Sequence, residues 1–348
     1  MKTIFCQSIL LIAAIALATE AGQLKAADSP GYKFIKEIPI GGEGSWDYLS
    51  IDPAARRLYV SHSSKVVVVD IDKYAVVGEI PDTPGVHGVA IAADLNRGFS
   101  SNGREAKVSM VELDSLKLVS KIETGQNPDC IIYNAGQHEV YAFNGRDGSA
   151  TVIDAKSGNV VATISLPGKP EFAAADAAAG RVYNNLEDKS LIAVIDAKEH
   201  KVLNTWSIAP GEEASGMAID TEHHRLFIGC HNKLMEMIDT ESGKVVASVA
   251  IGTGVDANAF DAGTQLAFSS NGDGTVTIAH EDGPDKLTVV QTLATGPRMR
   301  TMALDTKTHR IFLAAAKFEA QPAQTGGGRQ RPKIIPDTFK IMVYGIEK

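Results

Sequence analysis

Cysteine is scarce in this sequence, and its placement excludes two classes of protein. There are three cysteines in 348 residues, and Cys6 lies within the first ten residues. Cys130 and Cys230 are far apart and lack the paired spacing of a cysteine metal centre. A chain of this size does not need cross-links to complete a core, so we expect no disulfide framework.

Long apolar runs are also missing, except at the N-terminus. Lys2 precedes a run over residues 4–18 that is interrupted only by Gln7 and Ser8. A basic start, an apolar stretch and small residues at its end predict a secretory signal peptide over residues 1–18, with alternative cleavage sites as late as residue 27. The run is shorter than the ~20 residues that span a bilayer. We therefore expect no membrane span, and a monomer in the periplasm or outside the cell.

Positive charge and the common catalytic motifs are lacking as well. The formal net charge is −8, which disfavours nucleic acid as a partner because phosphate binding depends on Lys and Arg. The sequence has neither a Gly-x-Ser-x-Gly nucleophile elbow nor a phosphate-binding glycine loop. Whether the protein is an enzyme stays open, and a hydrolase or lactonase is the class expected if it is one.

What the sequence does have is a repeat of about 42 residues. Residues 128–166 contain four short runs rich in β-branched and aromatic residues, separated by Asn, Gly, Asp and Ser. Such runs and breaks predict four antiparallel strands joined by tight turns. The residue that closes the third run recurs at intervals of 41 to 43 residues from Asp70 to His280, and the next, Tyr344, follows 64 residues later. A four-strand unit with this period is typical of a propeller blade.

The length of the repeat region predicts seven blades in one domain over residues 31–348. The longer last interval indicates an insertion at residues 318–338, which is rich in Gly, Pro and Gln. Residues 31–40 precede the first blade, and their end resembles the end of blade one, while the last blade lacks a fourth strand. We therefore predict an all-β, seven-bladed propeller, with four antiparallel strands per blade, that is closed by the N-terminal strand completing the last blade. The blades are predicted to begin at Trp46, Val86, Pro128, Pro170, Ala214, Val255 and Met299.

Two residue types recur within the repeat and have structural interpretations. An aromatic in each second strand is expected to pack between neighbouring blades: Tyr59, Phe99, Tyr141, Tyr183, Phe227, Phe268 and Phe312. An Asp or Asn near the end of most first strands is expected to accept backbone N–H groups in the following turn: Asp52, Asn134, Asp176, Asp220, Asp261 and Asp305.

The repeats resemble those of a known family. The stretches ARRLYVSHSSKVVVVDIDKYAVVGEIP, QHEVYAFNGRDGSATVIDAKSGNVVATISLP and HHRLFIGCHNKLMEMIDTESGKVVASVAIG are similar to repeats of the YVTN-repeat, YncE-like propellers. The resemblance covers the chain after the signal peptide. It implies a WD-repeat-like propeller of the quinoprotein amine dehydrogenase-like superfamily. It also implies an exported binding or scaffold module, and related propellers include lactonases and dehydrogenase subunits.

The topology of a propeller indicates where a site would lie. Connections from the fourth strand to the next first strand, and from the second to the third, share one face around the central channel, where ligands enter. Aligning the blades puts one equivalent residue of each on this rim: Asp47, His87, Asp129, Glu171, Ser215, Asp256 and Arg300. The second-to-third connections add His62, Asn102, Asn144, Asn185, His231 and Asn271.

Three uses of this rim remain open. Asp47, His62 and His87, with Asp129 as an additional candidate, have the ligand types of a divalent metal. Glu171, Asp256 and Arg300 suit a small polar ligand, with Arg300 pairing a carboxylate or phosphate. The polar residues also suit a hydrated channel mouth with no ligand. The insertion is expected on the same face as a mobile cover. Its basic residues, Arg329, Arg331 and Lys333, suit either a solvated loop or an anionic partner, whether nucleic acid, a glycan or another exported protein. Trp46 is expected either to stack on a ligand or to pack between blades.

Overall fold

The computed structural model describes residues 31–319 and 332–346. These residues form seven four-stranded antiparallel sheets, in which the inner strand of each sheet contacts the inner strand of its neighbour. The predicted seven-bladed propeller is confirmed. The predicted signal peptide lies outside the described residues, as do residues 320–331 of the predicted insertion. Within the described ranges, no helix is both long and apolar enough to cross a membrane.

The strands follow the blades in chain order. A first strand, β1 (Lys33–Pro39), precedes blade one. Blade one contains β2 (Leu49–Asp52), β3 (Arg57–His62), β4 (Lys65–Asp70) and β5 (Ala75–Ile80). Blade two contains β6 (Val86–Ala92), β7 (Arg97–Asn102), β8 (Lys107–Glu112) and β9 (Leu118–Glu123). Blade three contains β10 (Pro128–Asn134), β11 (Glu139–Asn144), β12 (Ser149–Asp154) and β13 (Val160–Ser165). Blade four contains β14 (Pro170–Asp176), β15 (Arg181–Leu186), β16 (Leu191–Asp196) and β17 (Lys201–Ser207).

The remaining blades continue in the same order. Blade five contains β18 (Ala214–Asp220), β19 (Arg225–Cys230), β20 (Leu234–Asp239) and β21 (Val245–Ala250). Blade six contains β22 (Val255–Asp261), β23 (Leu266–Asn271), β24 (Thr275–Gly283) and β25 (Lys286–Ala294). Blade seven contains β26 (Met302–Asp305), β27 (Arg310–Ala315) and β28 (Lys340–Gly345). Short 3₁₀ helices at Ala93–Leu95 and Glu187–Lys189 interrupt two connections.

The ring closes in blade seven through β1. This strand pairs antiparallel with β28, with Ile38 opposite Ile341, so the sheet order is β26-β27-β28-β1. A buried ion pair joins blade one to blade seven, because Arg56 Nη1 and Nη2 lie 2.8 and 2.7 Å from the two oxygens of Asp305. The two chain ends therefore satisfy each other's open sheet edges. The predicted closure by the N-terminal strand agrees with this pairing.

The core lies between blades, as the recurring aromatics predict. All seven second-strand aromatics are 0–1% exposed. Tyr59 of blade one, for example, packs in one cluster with Val86, Val89 and Val111 of blade two. Truncating such a ring to Ala costs about 3–5 kcal/mol of folding free energy. These residues are structural, and they fix the distance between blades.

The predicted turn chemistry is confirmed at the ends of the first strands. Asp52 Oδ1 accepts the backbone N–H groups of Ala54 and Ala55 at 2.9 Å. The equivalent carboxylate or amide accepts a turn N–H in five further blades. These side chains are no more than 3% exposed, so they hold the turns on the face opposite the channel mouth.

Some strand boundaries differ from the predictions. The first strands of blades one and seven begin at Leu49 and Met302, three residues later than the predicted Trp46 and Met299. Trp46 leaves the strand because its ring stacks on Phe339, with ring centroids 4.9 Å apart. His280 was predicted to close the third strand of blade six, but β24 continues beyond it to Gly283, since β24 and β25 each extend to nine residues.

Candidate functional site

Strand alternation directs one side chain of each inner strand into the channel. β6 begins with buried Val86 followed by half-buried His87, and β10 begins with buried Pro128 followed by half-buried Asp129. Successive side chains of a strand point to opposite faces. The apolar member of each pair therefore packs between blades, while the polar member faces the channel mouth.

The structure brings all seven predicted rim residues together around one cavity of about 590 Å³. The cavity is lined by the following predicted residues: Asp47, His87, Asp129, Glu171, Ser215, Asp256, Arg300 and His231. Every blade contributes at least one of them. The convergence is a geometric finding, and the role of these residues in binding stays a prediction.

Asp47, His87 and Asp129 form the tightest group in the cavity. His87 Nδ1 lies 2.7 Å from Asp47 Oδ2 and 3.4 Å from Asp129 Oδ1. Burial disfavours the charged imidazole, but the hydrogen bond with Asp47 and the charge of Asp129 outweigh it and raise the pKa of His87 to about 9. One ligand atom from each residue lies within 4.8 Å of the other two, a spacing that fits one metal ion.

The other carboxyl groups of the mouth are crowded and only partly neutralised. Glu171 lies beside Lys169 at 3.6 Å, and Asp256 lies 3.4 Å from the Arg300 Nε. Burial, reinforced by the negative charge of Asp129, raises the pKa of Glu171 to about 8. Burial also raises the pKa of Asp256 against the opposing effect of Arg300. A positive charge in the cavity would relieve this repulsion.

A second cavity of about 780 Å³ adjoins the first and is more apolar. The two share Ser45, Trp46, Asp47 and Arg300 as lining residues. Its outer wall is formed by three residues on the flanks of the insertion: Phe318, Pro332 and Ile334. The flanks of the insertion therefore lie on the channel-mouth face, as predicted. Its role as a cover stays a prediction.

Five predicted residues lie outside the cavity lining: His62, Asn102, Asn144, Asn185 and Asn271. His62 is 1% exposed, and its ring packs 4.6 Å from that of Phe339. His62 is not a member of the Asp47–His87–Asp129 group. Asp129 occupies the position in this group that was predicted for His62. Asn102 and Asn144 are fully buried, and their side-chain amides donate to Ser109 and Thr151 within their own blades. They stabilise the second-to-third turns because their side chains point into the blades. Asn185 and Asn271 are fully buried, and their side-chain amides donate to the carbonyl of Ser215 and to Thr275.

Four charged lining residues were not predicted: Arg104, Arg146, Lys169 and Glu187. The two arginines follow the same tripeptide pattern, Asn-Gly-Arg, in the second-to-third connections of blades two and three. The repeated pattern was a usable signal, since a buried Asn and a Gly in a tight turn place the third side chain over the mouth. Glu187 and Lys169 have no such pattern.

The comparisons with known proteins concern the fold. No protein-family model matches the chain, and a search of curated proteins gives no match. Among solved structures, U3-55K is similar at a TM-score of 0.73 and 13% identity over 89% of this chain and 98% of that chain. The crystal structure of the mitotic checkpoint complex contains a similar chain, with a TM-score of 0.72, 16% identity and coverage of 88% and 96%. The crystal structure of RRP9 WD40 repeats gives 0.73, 13%, 89% and 97%. At these identities the likeness shows the fold alone: a seven-bladed propeller with WD40-repeat structural neighbours.

Proposed function

We propose that this protein is an exported propeller that binds a small ligand through a positively charged group at the channel mouth. The observation that supports this most is the convergence of Asp129, Glu171 and Asp256 on one cavity from blades three, four and six. Their side chains are only 17–19% exposed. Three largely buried carboxyl groups that line one cavity form a favourable environment for a cation.

Charge and depth favour a cation over an anion in this cavity. The carboxyl groups belong to the inner strands, whereas Arg104 and Arg146 belong to exposed turns above them. Arg300 is 54% exposed. A ligand that enters between the arginines therefore meets the carboxyl groups in the less hydrated part of the mouth, where ionic contacts are stronger.

The adjoining cavity indicates what else the ligand carries. Trp46 lies on the boundary of both cavities, and Phe318 lines the second. The ring centroids of Trp46 and Phe318 lie 6.1 Å apart, and the guanidinium group of Arg298 lies over the Phe318 ring. An amine with an apolar body fits this arrangement, because its ammonium group would reach the carboxylates while the body covers Trp46.

A matched pair of probes tests the proposal. Tyramine and 4-hydroxyphenylacetate share a ring and differ in charge, and thermal unfolding reports their binding because a ligand of the folded state raises the melting temperature. We expect tyramine to stabilise the wild-type protein and not the variant Asp129→Asn, Glu171→Gln, Asp256→Asn. Stabilisation by the carboxylate probe alone would contradict the proposal.

The control variant carries the same change in charge on the opposite face. Asp114, Glu199 and Glu241 are exposed residues of third-to-fourth turns in blades two, four and five. The variant Asp114→Asn, Glu199→Gln, Glu241→Gln should respond to tyramine like the wild type. An equal loss of response in both variants would indicate a general effect of net charge and would count against a specific site.

The Asp47–His87–Asp129 group favours a second candidate, a metal-dependent hydrolase. Two carboxylates and one imidazole can hold a divalent ion with a position left for water, and such an ion would supply Lewis-acid activation of the bound water. Metal content of the purified chain and hydrolysis of dihydrocoumarin test this candidate. Stoichiometric metal and activity that are both lost in Asp129→Asn would support it, and a metal-free, inactive wild type would remove it.

A further inference from the structure

A second group of possible metal ligands lies on the face opposite the channel mouth, between blades five and six. Asp220 ends β18, His223 lies in the turn that follows, and Glu281 lies in β24. One ligand atom of each lies within 4.8 Å of the other two. Asp220 and Glu281 are buried, at 2% and 5% exposure, whereas His223 is exposed.

Glu281 occupies a position that is apolar in most other blades. The residue after the third-strand closing position is buried Ile71, Leu113, Ala155 and Ala197 in blades one to four. These residues pack between blades. A carboxyl group at such a position needs a charged or hydrogen-bonding partner, because an uncompensated buried charge is strongly unfavourable.

Among the described residues, Glu281 lacks a complete set of such partners. Glu281 Oε2 is buried and has no hydrogen-bond partner. The adjacent Asp220 is already engaged, since Oδ1 accepts the N–H of Glu222 at 2.9 Å and Oδ2 lies 2.6 Å from His223 Nδ1. The nearby Arg225 donates to Asp239 at 2.6 Å and to the carbonyl of Pro284 at 2.6 Å. Glu281 therefore lies beside Asp220 with one buried oxygen that no donor among the described residues satisfies.

We propose that Asp220, His223 and Glu281 bind one zinc ion that links blades five and six. Two carboxylates and one imidazole are a zinc ligand set, with a water molecule as the fourth ligand. Ligand atoms around a tetrahedral zinc ion lie roughly 3.4 Å apart, given bonds of ~2.1 Å. The His223 side chain is 47% exposed, so the space that the ion needs requires only a shift of this ring from its 2.6 Å contact with Asp220.

The comparison with blade six supports the assignment. Asp261 is the equivalent of Asp220, and its Oδ2 lies 2.6 Å from His309 Nδ1. This pair has no further carboxylate or imidazole within ligand range among the described residues. His309 belongs to the first-to-second turn of blade seven, so an Asp–His contact also occurs on this face between two blades without a third ligand. Glu281 is the residue that makes the group at Asp220 a candidate metal site.

Zinc titration of the tag-free chain by calorimetry tests the proposal. The starting protein should carry His87→Ala, so that the channel mouth does not contribute. We expect one zinc ion per chain and a rise in melting temperature on zinc addition. Glu281→Gln and His223→Ala should each raise the dissociation constant by at least roughly 100-fold, since removing a direct ligand exceeds the effect of an outer-shell change.

Two further variants keep the test decisive. His224→Asn changes the neighbouring exposed histidine and should retain full zinc binding. Glu281→Leu restores the apolar residue of the other blades, so it should fold and lose the zinc response. Unchanged affinity in Glu281→Gln and His223→Ala, or the absence of zinc binding by the starting protein at neutral pH, would overturn the proposal and leave a proton shared by the two carboxyl groups as the explanation.

Discussion

Ile38 provides a quantitative test of how the ring closes. It lies in β1, is 1% exposed and pairs with Ile341. Ile80 holds the equivalent position in β5 of blade one, is also 1% exposed and pairs with Val66. If β1 is a true fourth strand of blade seven, Ile38 and Ile80 contribute equally to the stability of the fold. Ile38→Ala and Ile80→Ala should then each lower the free energy of unfolding by about 3 kcal/mol, within the 2–5 kcal/mol seen for buried Ile→Ala changes.

Guanidinium denaturation followed by circular dichroism measures both variants against a matched control. Val76→Ala removes a residue that is 46% exposed on the same strand as Ile80, and it should change stability by no more than about 0.5 kcal/mol. The reasoning fails if Ile38→Ala behaves like the control while Ile80→Ala is strongly destabilising. That result would mean that β1 is a loosely attached terminal strand and that blade seven is held by three strands.

Three other predictions concern the Arg56–Asp305 ion pair, the buried Glu281 and the N-terminal segment. Burial alone would raise the pKa of Asp305, but the hydrogen bond from Arg56 outweighs burial and holds the pKa below its usual value. The ion pair therefore stabilises the fold above about pH 4, and this stabilisation is lost as the pH falls through the lowered pKa. Asp305→Asn should therefore lower the free energy of unfolding by about 3 kcal/mol at pH 7. A pH series of denaturation curves should show the difference from wild type shrinking as the pH falls below about 4, and a constant difference would contradict the assignment. In zinc-free buffer, Glu281→Leu should raise stability by about 1–3 kcal/mol because an uncompensated buried carboxyl group is replaced by an apolar side chain, and a loss of stability in the same assay would argue that the carboxyl group is already satisfied. Intact mass of the secreted protein should show cleavage after Ala18 or at a site as late as residue 27, whereas an unprocessed N-terminus would refute the predicted signal peptide.

The fold was predictable because its signals are local and repeated. The 42-residue period, the buried aromatics and the turn-forming residues such as Asp52 each recur around the ring, so an error in one blade is corrected by the others. The rim was predictable for the same reason, since equivalent residues of the inner strands must face the same channel. The boundaries of blades one and seven were less predictable, because Trp46 leaves its strand to stack on Phe339.

The details of the candidate sites depend on contacts that the repeat does not specify. His62 ends a second strand beside the rim, but its side chain turns into a pocket against Phe339. Asp129, and not His62, lies next to His87 because neighbouring inner strands bring the side chains of His87 and Asp129 together. Glu281 is visible in the sequence only as a departure from the apolar pattern, and its proximity to His223 required the relative position of two blades.

A crystal structure of the protein grown with tyramine tests the proposed function most directly. We expect the amine nitrogen within roughly 3 Å of carboxylate oxygens of Asp129, Glu171 or Asp256, with the ring against Trp46. Tyramine bound elsewhere, or a channel mouth that contains water alone at a saturating concentration of the amine, would contradict the proposal that the mouth is a site for a positively charged ligand.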